Sequence, residues 1–564
     1  MILVPKKCLV IFLLIVFSAS LNAEAPEPVR GRNGMVVSAS RLASSIGVEI
    51  MKKGGNAIDA AVGVGFALAV AFPSAGNIGG GGFMVIHLND GKNTAIDFRE
   101  KAPSSADRDM FLDENGNYKP ELSTAGTTST GVPGSVAGLI YALEKYGTMT
   151  LQEVIRPSID LAEKGFVLDY AAAQSINSAL MDFKKYPSSA KIFTKTGNEY
   201  CEGDTFRQHD LAFTLKQIKE KGRDGFYKGE IAGLIVKQVK EFNGLISLKD
   251  LEDYQPVERE PVTGTYKDYS IVSMPPPSSG GIALIQLLNI LENYNLVKED
   301  WGSSDYIFRL AETMKYVYAD RSIHLGDPDF YNVPQQWLIS KEYGKEIFSR
   351  ISDRAQPSSE IIPGSPVIFY ESDETTHYSV YDSSGNAVST TTTLNSAFGN
   401  KIIVEDAGFL LNNEMDDFSA KPGVPNQFGL LGNEANSVQP GKRMLISMTP
   451  TIVLKDDEPF LIAGSPGGST IITAVLQVIM NVIDFGMDIQ QAINASRIHH
   501  QWFPDKIYYE NFGLPSDVKK ALIEKGENIG VAVILGCVEG ILIDNDNNII
   551  FGASDPRGSG DAEG

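Results

Sequence analysis

Residues 56–72, NAIDAAVGVGFALAVAF, are apolar around nearly the whole helical circumference, which predicts a helix buried on most sides and covered by a sheet. The pattern then changes: GGFMVIHL, the turn NDGKN and TAIDFRE read as a β-hairpin ending near Arg99 and Glu100. From about 135 to 345 the chain reads as mostly helical. VAGLIYALEKYG, LAFTLKQIKEKG, IAGLIVKQVKEF and IALIQLLNILENY all place apolar residues three and four apart. Strands return from 375, and one more helix follows SPGGS at about 469–485. Strands from both ends, with helices between and after, predict a layered α/β protein whose sheets pack inside helices.

The strands after 375 contain a second hairpin, TTHYSVY and AVSTTTTLN flanking the turn-forming DSSGN. If Tyr381 faces Ala387, then Thr375 faces Thr393 and Asn395 lies just beyond the first strand's end. An alcohol is a poor nucleophile near neutrality without a base beside it, and the spacing offers no Ser/His/Asp arrangement. A residue's own α-amine, with a reference pKa of about 7.7–8.0, becomes such a base once the preceding peptide bond is cut. For Thr375 that bond is Glu374–Thr375. Local sequence alone favours a polar strand with a threonine-rich partner.

Composition narrows the partners. The chain has 564 residues, 43% of them hydrophobic, enough for several domains or one large core. Lys6 and Lys7, the apolar run CLVIFLLIVF and the small residues SASLNA have the layout of a signal peptide ending at Ala23, and the run is too short for a membrane span. Its removal takes away two lysines and shifts the formal charge from −21 to −23. So acidic a chain does not suit nucleic acid or an anionic membrane surface. Cys201 and Cys537 then remain, too few for a disulfide framework; they are either paired or both free. GNIGGGGF at 76–83 lacks the Lys-Ser/Thr of a phosphate loop, and GVGFAL at 63–68 lies inside a helix, so both read as close backbone packing. The six histidines are scattered, and adjacent His499 and His500 point to different faces of either regular element. No metal and no cofactor are expected.

Several longer stretches carry a family resemblance. ETTHYSVYDSSGNAV, TTTLNSAFG, GFLLNNEMDDFSAKPG, SMTPTIV and GSPGGSTIITAVLQVIMNVID resemble the γ-glutamyltranspeptidases. So do the earlier GGNAIDAAV, GNIGGGGFM, AIDFREKAP, SMPPPSSGG and YADRSIHLGDPDF. The similarity runs from about residue 33 to GASDPR at 552–557. It implies the N-terminal-nucleophile hydrolase fold, a four-layer αββα sandwich, made as a precursor that cleaves itself before Thr375. Residues 24–374 then form the large subunit and 375–564 the small one, held together as a heterodimer.

The resemblance also implies roles. Thr375 first attacks the Glu374 carbonyl and later, with a free amine, a substrate γ-glutamyl carbonyl, as in glutathione. The acyl group then passes to water or to an amino-acid or dipeptide acceptor. Thr393 orients Thr375. Arg99 holds the substrate α-carboxylate in its planar fork, with Ser447 as a further donor. Asp417, Glu414 and Asn395 receive the α-ammonium, and the N–H groups of Gly467 and Gly468 form the oxyanion hole. Taken singly, Arg99 reads rather as a surface partner of Asp97 or Glu100, Asp417 as a helix or turn cap, and the two glycines as a tight helix entry. In the family's order they read as one site.

Two departures stand out. Ile446 precedes Ser447 where bacterial members often have a second serine, and Phe428 occupies a lid position where a tyrosine is familiar. Losing a hydrogen bond to a charged group costs about 1.5–3 kcal/mol. The leading expectation is a periplasmic or secreted γ-glutamyltransferase and hydrolase. The rivals are a β-lactam side-chain acylase, which Ile446 favours and Arg99, Asp417 and Asn395 oppose, and an uncleaved secreted γ-glutamyl-binding protein.

Overall fold

The computed structural model describes residues 26–361, 375–427, 429–532 and 534–564. Strict alternation in the strands sets the architecture. In Gly34–Ser38 and Gly81–His87, Met35, Val37, Phe83 and Val85 point one way, and Val36, Met84 and Ile86 the other. The first set meets Ile452, Ile462 and Ile541 of a second sheet, and the second set meets helices. Each sheet is thus apolar on both faces, so it must be covered on both.

Two seven-stranded sheets result, with every pairing antiparallel. The first runs Asp561–Glu563, Gly34–Ser38, Thr375–Asp382, Ala387–Thr393, Gly81–His87, Asn93–Asp97 and Val257–Arg259. The second runs Val29–Gly31, Ile549–Ser554, Glu539–Asp544, Glu458–Gly464, Thr451–Lys455, Tyr269–Ser273 and Val262–Tyr266. Helices Arg41–Lys52, Ala57–Ala71, Ser135–Tyr146 and Leu151–Lys164 cover the first sheet. Gly280–Leu291, Ser304–His324 and Thr470–Ile483 cover the second. This is the four-layer αββα sandwich.

Helix Ala57–Ala71 is buried along its whole length, as its all-round apolar pattern requires. Asn56 and Asp59 start it with a capping box, and the Ala57 N–H donates to Asp382 Oδ2 at 2.7 Å. Asp382 also accepts the N–H groups of Ser384 and Asn386 and so closes the DSSGN turn. Tyr381 faces Ala387 and Thr375 faces Thr393, the register expected from that turn.

Three expectations change. The 135–345 region is not purely helical, because Val257–Arg259, Val262–Tyr266 and Tyr269–Ser273 lie within it. Helices Ile489–Asn494 and Ser516–Lys525 follow Thr470–Ile483, where a single helix was expected. The first hairpin ends at Asp97, which leaves Arg99 and Glu100 on the connection beyond it. Cys201 and Cys537 are both free thiols.

The glycines of GNIGGGGF serve backbone contact. A Cβ at Gly79, Gly80 or Gly82 would lie 2.1–2.3 Å from the carbonyl oxygens of Leu410, Thr393 and Thr391 respectively. Asn77 locks the same corner, donating through Nδ2 to Thr393 O at 2.8 Å and accepting from Gly80 N at 2.9 Å. We expect Gly80→Ala to destabilise the protein by about 1–3 kcal/mol through forced backbone displacement, read as a lower urea midpoint.

Candidate active site

Thr375 opens a central strand of the first sheet and is 7% exposed. Tyr378 and Val380 point to the helices, so Thr375, His377 and Ser379 face the second sheet. Thr375 Oγ1 donates to Thr393 Oγ1 at 3.4 Å, and Thr393 Oγ1 accepts the Asn395 N–H at 2.8 Å. Asn395 has a φ of 77° and turns the chain out of the strand. The Glu374–Thr375 bond and Phe428 lie outside the described residues.

His377 is the only imidazole near Thr375 in the sequence, and it is a core residue. Its ring lies 2.9 Å from Thr391 Oγ1 and 3.1 Å from Ser379 Oγ, and burial pushes its pKa down to about 3. It stays neutral at physiological pH, bonded to hydroxyls rather than to a carboxylate.

A cavity of about 550 Å³ is lined by Thr375, Thr376, His377, Pro466 and Gly536, a volume typical of small-molecule sites. Beside Pro466, Gly467 and Gly468 have φ of 126° and 51°, conformations that favour glycine. A Cβ at Gly467 would sit 2.3 Å from Thr470 Oγ1. The two residues lead into helix Thr470–Ile483, and their carbonyls accept its first N–H groups, Thr470 N to Gly467 O at 2.9 Å and Ile471 N to Gly468 O at 3.4 Å.

The second group of predicted residues gathers around Arg99, which is fully buried. Its Nη1 pairs with Glu414 Oε2 at 2.6 Å and Glu100 Oε2 at 3.1 Å, and its Nη2 with Asp417 Oδ2 at 2.5 Å. Its Nε donates to Met444 O at 3.5 Å, three residues before Ser447. Glu100 joins this group to the first: a Cβ at Gly81, the ladder partner of Thr393, would meet Glu100 Oε2 at 2.5 Å. Asn395 does not join the carboxylates; its Nδ2 donates to Asn413 O at 2.9 Å. Ser447 is reached through Arg321, whose Nη2 donates to Ser447 Oγ at 3.1 Å. Sequence reasoning gave no site role to Glu100 or Arg321, although both lie inside the quoted motifs AIDFREKAP and YADRSIHLGDPDF.

A sequence profile of the family described as gamma-glutamyltranspeptidase matches residues 43–564. The chain belongs to the gamma-glutamyltranspeptidase family. The glutathione hydrolase proenzyme of Escherichia coli (strain K12) is 50% identical over 542 residues, covering 96% of this chain and 93% of that one. The crystal structure of Helicobacter pylori gamma-glutamyltranspeptidase matches with a TM-score of 0.57 at 49% identity, covering 61% of this chain and 97% of that one. A cephalosporin acylase from Bacillus halodurans matches over 100% of this chain and 99% of its own, with a TM-score of 0.86 at 26% identity.

In this member of the gamma-glutamyltranspeptidase family, three carboxylates surround one guanidinium. Burial pushes Glu100 up to about 7 and Glu414 up to about 8, against a partial opposing pull from Arg99. Burial likewise holds Asp417 well above the usual carboxylate range. For Arg99 burial acts against the cation, and Glu414, Glu100 and Asp417 outweigh it, so its pKa is raised.

Folded protein keeps protons that the unfolded chain loses above the ordinary glutamate value of 4.5, so this cluster's contribution to stability is greatest below that value. It declines as pH rises through about 7 and about 8. We expect the urea midpoint to fall between those limits and the fall to flatten in Glu414→Gln; an unchanged slope in that variant would contradict the assignment.

Proposed function

We propose that this protein is a self-cleaving γ-glutamyltransferase and glutathione hydrolase, with subunits 24–374 and 375–564. In the precursor, Thr375 Oγ1 attacks the Glu374 carbonyl carbon and the peptide bond shifts to an ester. Water then cleaves the ester, leaving a Glu374 carboxylate and a free Thr375 amine. In the mature enzyme this amine takes the proton from the Thr375 hydroxyl as the oxygen attacks the γ-glutamyl carbonyl. The N–H groups of Gly467 and Gly468 carry the developing oxyanion, and the amine returns its proton to the departing amino group. Water or an amino-acid or dipeptide acceptor then resolves the Thr375 ester.

The observation that supports this reading most is the placement of Thr375. It is the first described residue of a central strand, its hydroxyl faces Thr393 Oγ1, it lines a cavity that Arg99, Glu414, Asp417 and Ser447 do not line, and the neighbouring imidazole is unsuited to serve as base. Arg99 with Ser447 suits an α-carboxylate, and Glu414 and Asp417 suit an α-ammonium, whereas Asn395 is bonded to Asn413 O instead. The layout of residues 1–23 supports export to the periplasm or beyond, and the acidic charge argues against nucleic-acid partners. No helix among the described residues is long and apolar enough to cross a membrane.

The likeness to a cephalosporin acylase and the presence of Ile446 make one competing substrate class worth a direct comparison. A glutaryl amide lacks the α-ammonium that Glu414 and Asp417 would receive. We expect the purified enzyme to release p-nitroaniline from its γ-glutamyl amide at least about tenfold faster than from the glutaryl amide, as for loss of a charge-assisted hydrogen bond. A preference for the glutaryl group would overturn the γ-glutamyl assignment.

A further inference from the structure

Arg321 stands apart from the other buried arginines. Arg99 pairs with three carboxylates, Arg443 with Asp97 at 3.2 Å, and Arg497 with Asp555 at 2.6 Å. Arg321, 4% exposed in the last turn of Ser304–His324, makes no ion pair among the described residues. Its Nε donates to Ser279 Oγ at 2.9 Å and its Nη2 to Ser447 Oγ at 3.1 Å. Burial pushes its pKa down to about 10. A buried guanidinium held by two hydroxyls keeps an unmet demand for an anion.

Its surroundings indicate which anion. Arg321 and Asp417 line one small cavity of about 20 Å³. The cavity has room for about one water, so it places the Arg321 cation beside the Asp417 carboxylate, next to Ser447. Arginine has no acceptor, so Ser447 Oγ must accept from it, and the Ser447 proton remains available to a further acceptor. Ser279, the other hydroxyl on Arg321, donates through its N–H and its Oγ to Ile446 O at 2.8 and 2.7 Å. Arg321 therefore braces both residues of the Ile446–Ser447 pair, including the one whose side chain has no hydroxyl.

We propose that Arg321 is a positioning residue for the donor's α-carboxylate: it fixes Ser447 with the hydroxyl proton turned toward that carboxylate, and adds positive charge where Ile446 supplies no donor. This rests on the γ-glutamyl reading above. Arg99 alone is surrounded by three carboxylates, and a second guanidinium restores attraction for an incoming anion.

The test compares two donors, a γ-glutamyl anilide and a 4-aminobutanoyl anilide, which has the same acyl chain and amine but no α-carboxylate. In Arg321→Met, KM for the γ-glutamyl donor should rise on the order of 10–100-fold with kcat within about threefold, the size of one lost charge-assisted hydrogen bond. The 4-aminobutanoyl donor should be unaffected, and Arg321→Lys should recover part of the loss. Combined with Ser447→Ala, Arg321→Met should cost less than it does alone, because the part of its effect that acts through Ser447 is already gone and only the part due to its charge remains. Equal losses on both donors, or fully multiplicative effects of the two substitutions, would overturn the proposal. If Arg321→Met does not fold, Arg321→Lys and Ser447→Ala carry the same comparison. Failure of the unmodified enzyme to release anilide from the γ-glutamyl donor would instead refute the γ-glutamyl reading, and this proposal with it.

Discussion

Thr375→Ala is expected to yield a chain that stays in one piece and releases no γ-glutamyl product above about one thousandth of the unmodified rate. Two consequences of one missing hydroxyl combine here. The Glu374 carbonyl loses its attacking oxygen, so the strand-initial amine is never freed. Without nucleophile and amine, the covalent route is closed. The fold should survive, because Thr375 contributes little apolar burial and its Oγ1 contact to Thr393 is long at 3.4 Å. Thr375→Ser separates the effects: it keeps an oxygen at the same place and should still cleave, more slowly. A denaturing gel and an anilide assay on the three proteins check both parts.

Arg99→Met is expected to be the most damaging change to the substrate pocket. It leaves Glu100, Glu414 and Asp417 buried without their common cation. Breaking a buried ion pair by removing one partner costs about 3–5 kcal/mol. The loss should be larger at pH 8 than at pH 5, because carboxylates already raised by burial take up protons as the pH falls and so relieve one another. Urea titrations at the two pH values measure this. Donor KM should rise together with the loss of stability, since the fork proposed to hold the α-carboxylate is gone. Equal destabilisation at both pH values would show that the carboxylates were not the source.

How much of this was legible from residues depends on the distance over which each contact is made. The Thr375–Thr393 pairing is local: DSSGN and the lengths of its flanking strands determine it, and Asp382 closes the turn with its own side chain. The buried circumference of Ala57–Ala71 is likewise a property of its own composition. Strands Val262–Tyr266 and Tyr269–Ser273 were not legible. Val262–Tyr266 is the edge of its sheet, with Thr263 and Thr265 outside the core, and the two strands are joined through Lys267 at a φ of 51° without a glycine to mark the turn.

The site divides in the same way. Motif resemblance selected Arg99, Glu414, Asp417 and Ser447, which the fold gathers from three separate parts of the chain. Glu100 read as a neighbour of Arg99, and only the approach of Gly81 reveals that it bridges the carboxylate cluster to the Thr393 strand. Arg321 was hidden because Ser304–His324 is buried on nearly every side, charged residues included, so its periodicity marks no functional face. Its Ser447 partner comes from a loop 126 residues away.

The central claim is that the chain is cut to make Thr375 a terminus. N-terminal sequencing of the smaller polypeptide from purified, active protein tests it directly. The account predicts the sequence TTHYSVYD, beginning at Thr375. An active protein that remains a single uncut chain, or a smaller fragment beginning at any other residue, would contradict it.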